Sequence, residues 1–347
     1  MLSLRQLQYR RNRLTKLRTM QELCLLLGKP GHKLELLCAQ PMYNEFHIRK
    51  RNGGKRHIED PRPPLKRVLG ILNDLLQGVY YFEKTEAAYG FIAIARDDPA
   101  PPRHIVTHAE RHLGCRWLMN IDLTSFFHQI STEMVLDRLK DPPFHFDDEV
   151  ADLMARLCTY KGRLPMGAPT SPVLSNLVFQ REDEVLKAWA DDHGWLYTRY
   201  ADDLSFSSQK EISSWEMQQT INLLENHSYA VHPEKRRLYG PDDVKNVTRL
   251  VLGDGELELP PDFLEELRDC IEDLRRTTRT HLRMGVARPP AWLTKYRQRL
   301  NGMMGFAKHV LGEYDEDFLQ IQRSYDEAVN PPDEDFGTYS WLDFPYW

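Results

Sequence analysis

Cysteine is scarce and scattered in this chain. Cys24, Cys38, Cys115, Cys158 and Cys270 are the five cysteines in 347 residues, and no Cys-x-x-Cys occurs. An odd, widely spaced set argues against a disulfide framework or a cysteine zinc finger and fits a reducing compartment. Long apolar runs are missing too. None approaches the roughly 20 residues of a membrane span, and Met1-Leu2-Ser3-Leu4-Arg5 lacks the apolar core of a secretory signal. The expectation is a cytoplasmic protein with no membrane partner. Acids are absent from two stretches. Residues 1–21 hold Arg5, Arg10, Arg11, Arg13, Lys16 and Arg18 without an acid, and residues 275–309 hold nine lysines and arginines without one. Residues 313–347 reverse the balance, with ten acids and Arg323 alone. The net charge of -5 therefore hides two basic blocks, and binding follows the local field rather than the sum. Such blocks suit a phosphate backbone.

What is present centres on Tyr200-Ala201-Asp202-Asp203. It lies between two strand-like runs, Trp195-Leu196-Tyr197-Thr198-Arg199 and Leu204-Ser205-Phe206-Ser207. Two alternating strands around a tight turn read as a β-hairpin with carboxylates at its tip. Adjacent acids repel unless a cation neutralises them, and a two-metal site is what nucleotidyl transfer needs. Asp122 is the expected third member. It ends the apolar run Trp117-Leu118-Met119-Asn120-Ile121-Asp122-Leu123, which suits a buried central strand, where a lone carboxylate has no reason to be unless paired or bound to a cation. A hairpin beside that strand would gather the three acids around two ions about 3.5–4 Å apart.

The order of motifs resembles that of bacterial reverse transcriptases, most closely the retron type. Asn120-Ile121-Asp122-Leu123-Thr124-Ser125-Phe126-Phe127, Leu164-Pro165-Met166-Gly167-Ala168-Pro169-Thr170-Ser171-Pro172 and Tyr200-Ala201-Asp202-Asp203 look like palm motifs A, B and C. The resemblance implies an α+β, right-hand polymerase with fingers, a palm built on an antiparallel sheet with helices on one face, and a helical thumb. It implies catalysis by Asp122, Asp202 and Asp203, a metal site made by these three with Ile121 and Leu123, and two Mg²⁺ ions, with Mn²⁺ as the alternative. Lys50 and Arg56, in a basic Gly53-Gly54 hairpin, would hold the triphosphate, since ammonium and guanidinium groups grip phosphate oxygens. Phe127 would press its ring against the nucleotide sugar, with Phe126 the core residue because strand neighbours face opposite ways. Met166 and Gly167 would line the nucleotide site. Lys235 looks like the motif D lysine that protonates pyrophosphate.

Two retron signatures are present in altered form. His108-Ala109-Glu110-Arg111-His112 resembles Asn-Ala-x-x-His, with His108 in place of Asn. Val247-Thr248-Arg249 resembles Val-Thr-Gly, with Arg249 in place of Gly. Met166 stands where most of the family has Gln, and a thioether lacks the amide's donors. A zinc-protease reading of the His pair fails because Ala109, not Glu, follows His108. The pair reads as structural or RNA-contacting, and Thr248 and Arg249 as RNA-contacting.

The resemblance implies an RNA-directed DNA polymerase that copies part of its own structured non-coding RNA into branched single-stranded DNA, in defence against phages. Its partners would be that RNA, the cDNA, dNTPs and a toxin or effector protein. The rivals are a group II intron, diversity-generating or CRISPR-associated enzyme, or a non-catalytic RNA-binding scaffold of the same fold. No endonuclease or maturase extension is expected after the thumb. The expected domains are N-terminal helices and fingers over 1–115, palm over 116–260, thumb over 261–312 and an acidic aromatic tail over 313–347. On the thumb, Arg275, Arg276, Arg279 and Arg283 are the expected RNA contacts, with Trp292, Tyr296 and Phe306 available to stack on bases or fill the thumb core.

Overall fold

The computed structural model describes residues 1–49, 53–284 and 291–330. The chain divides into two compact units, Met1–Thr248 and Arg249–Trp347.

The first unit opens with three helices, α1 (Leu4–Thr15), α2 (Met20–Leu27) and α3 (Gly31–Ala39). Reciprocal capping by Ser3 with Gln6, and by Thr19 with Glu22, starts the first two. Gly28, at φ +63, ends α2 in the left-handed conformation glycine favours. Strands β1 (Tyr43–Arg49) and β2 (Lys55–Pro61) form an antiparallel hairpin, with Tyr43 opposite Pro61 and Arg49 opposite Lys55. Helix α4 (Pro63–Glu83) follows, with proline in its first turn, where the missing N–H costs nothing. Its Gly78 lets α1 cross closely, since a Cβ there would lie 2.6 Å from Arg10 Cβ and 2.9 Å from Leu7 O.

Beyond α5 (Ile105–Glu110) comes β3 (Trp117–Asp122), then a 3-10 turn at Phe126–Gln129, helices α6 (Thr132–Lys140), α7 (Asp148–Cys158) and α8 (Ser171–His193), strands β4 (Leu196–Tyr200) and β5 (Asp203–Ser208), and α9 (Ser214–Asn226). A 3-10 turn at Pro233–Lys235 leads into β6 (Arg237–Tyr239) and β7 (Asn246–Val247). The central sheet runs β4-β5-β3-β6, antiparallel throughout. Alternation sorts its faces. Met119, Ile121, Tyr197, Leu204 and Phe206 join Leu174, Leu177, Phe179 and Leu186 of α8 in one large core. On the opposite face, Thr198 meets His108 of α5, and Thr198 and Ser207 meet His112 just beyond it, so that face is covered in part as well.

The second unit holds the short hairpin β8 (Leu250–Leu252) and β9 (Leu257–Glu258), then α10 (Pro261–Arg283), α11 (Ala291–Leu311) and α12 (Glu316–Val329). Leu267, Ile271, Leu274, Leu293, Leu300, Met304, Phe318 and Ile321 make its separate core. This hairpin falls within the range 116–260 expected for the palm, and it belongs to the C-terminal unit. Among the described residues, no helix is long and apolar enough to cross a membrane.

Candidate active site

Register brings the acids together. Asp122, the last residue of β3, pairs directly with Asp203, the first of β5, and directly opposed antiparallel residues place their Cβ atoms about 4.5–5.5 Å apart on one face. Tyr200 pairs with Asp203, so Ala201-Asp202 is a two-residue turn, with Ala201 at φ +58. Hairpin turns of this length require positive φ, which alanine adopts only under constraint. The constraint is visible. Leu123 donates its amide to Asp202 O at 3.0 Å, and Arg199 Nη1 donates to Ala201 O at 2.9 Å. Gly90 packs so near the turn that a Cβ on it would lie 2.8 Å from Ala201 N.

The electrostatics are those of a site built for cations. Asp202 is shifted upward, by lost hydration first and by the Asp122 charge second, with partial relief from Lys235 and Arg56. Asp203 is pushed up to about 7, again by lost hydration first and then by Asp202 and Asp122. The residue is nevertheless exposed, so the neighbouring charges are the part of that shift a solvent-facing carboxylate retains. Lys235 Nζ donates to both carboxylate oxygens of Asp122, at 2.7 Å each. One ammonium against three carboxylates leaves an excess of negative charge, and the donor set is all oxygen. That set fits hard divalent ions such as Mg²⁺ or Mn²⁺ rather than zinc. Ile121 and Leu123 flank Asp122 with buried side chains and can offer the site only backbone atoms.

The described nucleotide-site candidates fall on β2, the 3-10 turn after β3 and the segment before α8. Arg56 is exposed on β2, and its charge reaches Asp202. Phe127 is half-buried, its ring 6.0 Å from those of Phe91 and Phe126. Phe126 is the core residue, but the reason is a 3-10 turn rather than strand alternation. The Met166 carbonyl accepts from the Glu59 amide at 2.7 Å, and Gly167, at φ +140, sits against Glu59 O where a Cβ would not fit. Lys50 lies outside the described residues.

The histidine pair requires a correction. His108 and His112 are fully buried, so neither side chain can touch RNA. His112 Nδ1 lies 2.7 Å from Ser207 Oγ and its Nε2 lies 2.6 Å from Thr198 Oγ1. Thr198 Oγ1 lies 2.7 Å from His108 Nε2, and Thr248 Oγ1 donates to Ile105 O at 3.3 Å. Burial holds both rings far below the usual histidine range, His112 at about 3, so they are neutral hydrogen-bonding groups. The two altered signatures are therefore one structural cluster, α5 and Thr248 meeting behind the catalytic hairpin. Thr248 and Arg249 both adopt left-handed backbone, at φ +47 and +70, which is the reason glycine suits the second position and Arg249 is strained.

The thumb cations also sort differently from expectation. Arg275 is half-buried and engaged by Glu272, Glu327 and Ser324 O, which ties α10 to α12. It is a structural residue rather than a free RNA contact. Arg276 keeps 74% of its side chain exposed beside Glu272, and Arg283 is exposed. Arg279 is half-buried. Acids outside the acid-free block neutralise others in it, Glu266 with Arg299 and Glu313 with Lys308. Tyr296 and Phe306 pack on the thumb core, while Trp292 is 56% exposed. In the N-terminal block, Arg10 and Arg11 pair with Asp74 and Glu83 of α4. The tail from 331 lies outside the described residues.

Two parts of the site were not anticipated. Asn176 and Asp183, two turns apart on α8, reach under the turn with Arg199, all three fully buried. Arg199 donates to Asp183 through Nε at 2.8 Å and Nη2 at 2.7 Å, and to Asn176 Oδ1 at 3.1 Å. Asn176 Nδ2 donates to Gly90 O at 2.8 Å. The seven-residue spacing of two polar residues within an otherwise apolar helix face was the available signal.

The sequence matches the family model for reverse transcriptases, RNA-dependent DNA polymerases, over residues 48–249. The retron Ec86 reverse transcriptase of Escherichia coli is 29% identical over 251 residues, covering 70% of this chain and 73% of that protein. The retron Mx162 reverse transcriptase of Myxococcus xanthus is 27% identical over 308 residues, covering 77% of this chain and 61% of that protein. Among solved structures, telomerase from Candida albicans in complex with a fragment of telomeric RNA aligns over 86% of this chain and 64% of that one, at 10% identity and a TM-score of 0.44.

Proposed function

This chain belongs to the reverse transcriptase family, as an RNA-directed DNA polymerase of the retron type, and on that premise we propose that it copies part of a structured non-coding RNA encoded with it into branched single-stranded DNA. The observation that carries the reading is the convergence of Asp122, Asp202 and Asp203 at one sheet end, within reach of the Arg56 charge; Phe127 and Gly167 are assigned to the same site. The three carboxylates are the residues that would hold two divalent ions, Mg²⁺ or Mn²⁺. When bound, such ions lower the pKa of the primer hydroxyl and take up charge on the triphosphate. Arg56, with Lys50, holds the triphosphate. Lys235, which pairs with Asp122, would donate a proton to the departing pyrophosphate once that carboxylate is taken over by ions. The cytoplasm as its compartment, anti-phage defence and a toxin or effector partner belong to the same proposal. Sequencing nucleic acid that co-purifies with the protein, with primer extension on that RNA in Mg²⁺ and in EDTA, tests it. No extension in Mg²⁺ would remove the polymerase reading, and heterogeneous co-purified RNA would remove the dedicated template.

Sugar selection is assigned to Phe127. A ring against C2′ rejects ribonucleotides by clash. Phe127→Ala is expected to raise ribonucleotide use relative to deoxyribonucleotide roughly 10- to 200-fold, the span of 1–3 kcal/mol of steric discrimination. Parallel incorporation assays with dNTP and rNTP measure it, and an unchanged ratio in a folded variant would take Phe127 out of the pocket.

RNA recognition is assigned to the exposed thumb cations. Arg276→Gln with Arg283→Gln is expected to weaken binding of the co-purified RNA. The slope of log affinity against log salt should fall by about 0.7–0.9 for each cation that no longer neutralises a phosphate. Arg275→Gln should instead lower thermal stability. An unchanged salt slope in the folded double variant would move the RNA surface elsewhere.

A further inference from the structure

The β1–β2 hairpin is fastened to the 3-10 turn after β3 and to the segment between α7 and α8 through a carboxylate that polymerase chemistry does not itself call for. Glu59, on β2, has no exposed surface. An ionised carboxylate survives there only when its oxygens are paired. Arg163 supplies a fork, Nη1 to Oε2 at 2.9 Å and Nη2 to Oε1 at 3.1 Å. His128 Nε2 lies 3.2 Å from Oε2, and the Met166 amide donates to that oxygen at 3.4 Å. The backbone adds a second tie, Glu59 N to Met166 O at 2.7 Å.

Each of these contacts adjoins an assigned pocket residue. His128 follows Phe127 on the 3-10 turn. Met166 and Gly167 are themselves pocket residues. Arg56 precedes Glu59 by three residues on β2. The 160–163 turn also grips the hairpin at Glu45, through Lys161 Nζ at 2.7 Å and Tyr160 OH at 2.9 Å, with the Tyr160 ring stacked 4.1 Å from that of Tyr43. Glu45, His57 and Glu59 bring ligand atoms within 4.8 Å of one another. Lys161 and Arg163 already neutralise both carboxylates, so the cluster is a strap rather than a cation site.

We infer that Glu59, with Arg163 and His128, is the positioning centre of the nucleotide pocket: one buried carboxylate sets Arg56, Phe127 and the Met166–Gly167 segment relative to one another. The inference rests on the polymerase reading. Glu59 touches no reacting atom, so its loss should misplace the pocket that binds dNTP while leaving the carboxylates that perform the chemistry intact. Loss of binding shared by ground and transition states raises KM and spares kcat.

The test is steady-state extension of a pre-annealed primer on an RNA template. For Glu59→Gln, the KM for dNTP should rise about tenfold, with kcat changed less than about twofold. Glu59→Asp keeps the charge and should recover part of the KM. If Glu59→Gln fails to fold, Tyr160→Phe with Lys161→Met loosens the same hairpin at half-exposed contacts that add little stability, and it should raise KM in the same way. An unchanged KM, or a fall in kcat alone, in a folded variant overturns the inference. Absence of extension by the wild-type protein would instead overturn the polymerase reading on which it stands.

Discussion

Asp202→Asn and Asp203→Asn should each abolish DNA synthesis while RNA binding persists. Each removes a charge from the set assigned to divalent ions. Losing several kcal/mol of charge stabilisation slows the reaction on the order of 10³-fold or more, at a factor of ten for each ~1.4 kcal/mol. Stability should move the other way. The Asp202 and Asp122 charges hold the Asp203 carboxyl above the 3.8 of a free carboxyl, to about 7 at most. Between those values the folded state binds more protons than the unfolded chain, so the group makes ion-free protein less stable as pH rises through that window. Asp203→Asn removes the penalty. Its ion-free melting temperature at pH 7.5 should equal or exceed that of wild type, and Mg²⁺ should raise the wild-type value more than the variant's. Thermal melts with and without Mg²⁺, beside primer extension, measure both. DNA synthesis near the wild-type rate in both variants would sink the two-metal assignment.

The triad could be read from the chain because two local rules sufficed. An apolar run suited to a buried central strand set Asp122 at a strand end, and a tight turn between alternating strands set Asp202 and Asp203 at a tip. Helix α4 is legible from the helical spacing of Leu65, Val68, Ile71, Leu72 and Leu75. What escaped was decided by partners distant in sequence. Arg275 looks like a free cation until Glu327, 52 residues later, closes on it. His108 and His112 look available until β4 and β5 cover them. Glu59 reads as one more charged strand residue, and only the fold brings Arg163, 104 residues on, against it. Acid-free stretches predict a field only where the neighbouring elements are acid-free too, and α12 and the start of α10 are not.

The buried pair beneath the turn should be the most sensitive point of the fold. Arg199 and Asp183 are both without exposure, and Asp183 also accepts from Tyr197 OH at 2.9 Å and Thr85 Oγ1 at 3.1 Å. Burial alone would disfavour the guanidinium charge; Asp183 more than offsets it and holds Arg199 above its usual range. Asp183→Asn leaves that charge uncompensated, an effect of about 3–5 kcal/mol. At roughly 2–4 °C per kcal/mol for a unit of this size, the melting temperature should fall by about 6–20 °C. Adding Arg199→Met removes the stranded charge, so the double variant should melt above Asp183→Asn alone, the coupling expected of groups in contact. DNA synthesis should not return with it. Arg199 Nη1 is also the donor that holds the Ala201 carbonyl, and with it the turn that presents Asp202 and Asp203. Recovery of stability without recovery of activity would separate support of the fold from support of the catalytic turn. Full activity in the double variant would show that the turn keeps its shape without Arg199, through the Leu123 amide and the packing of Gly90 alone.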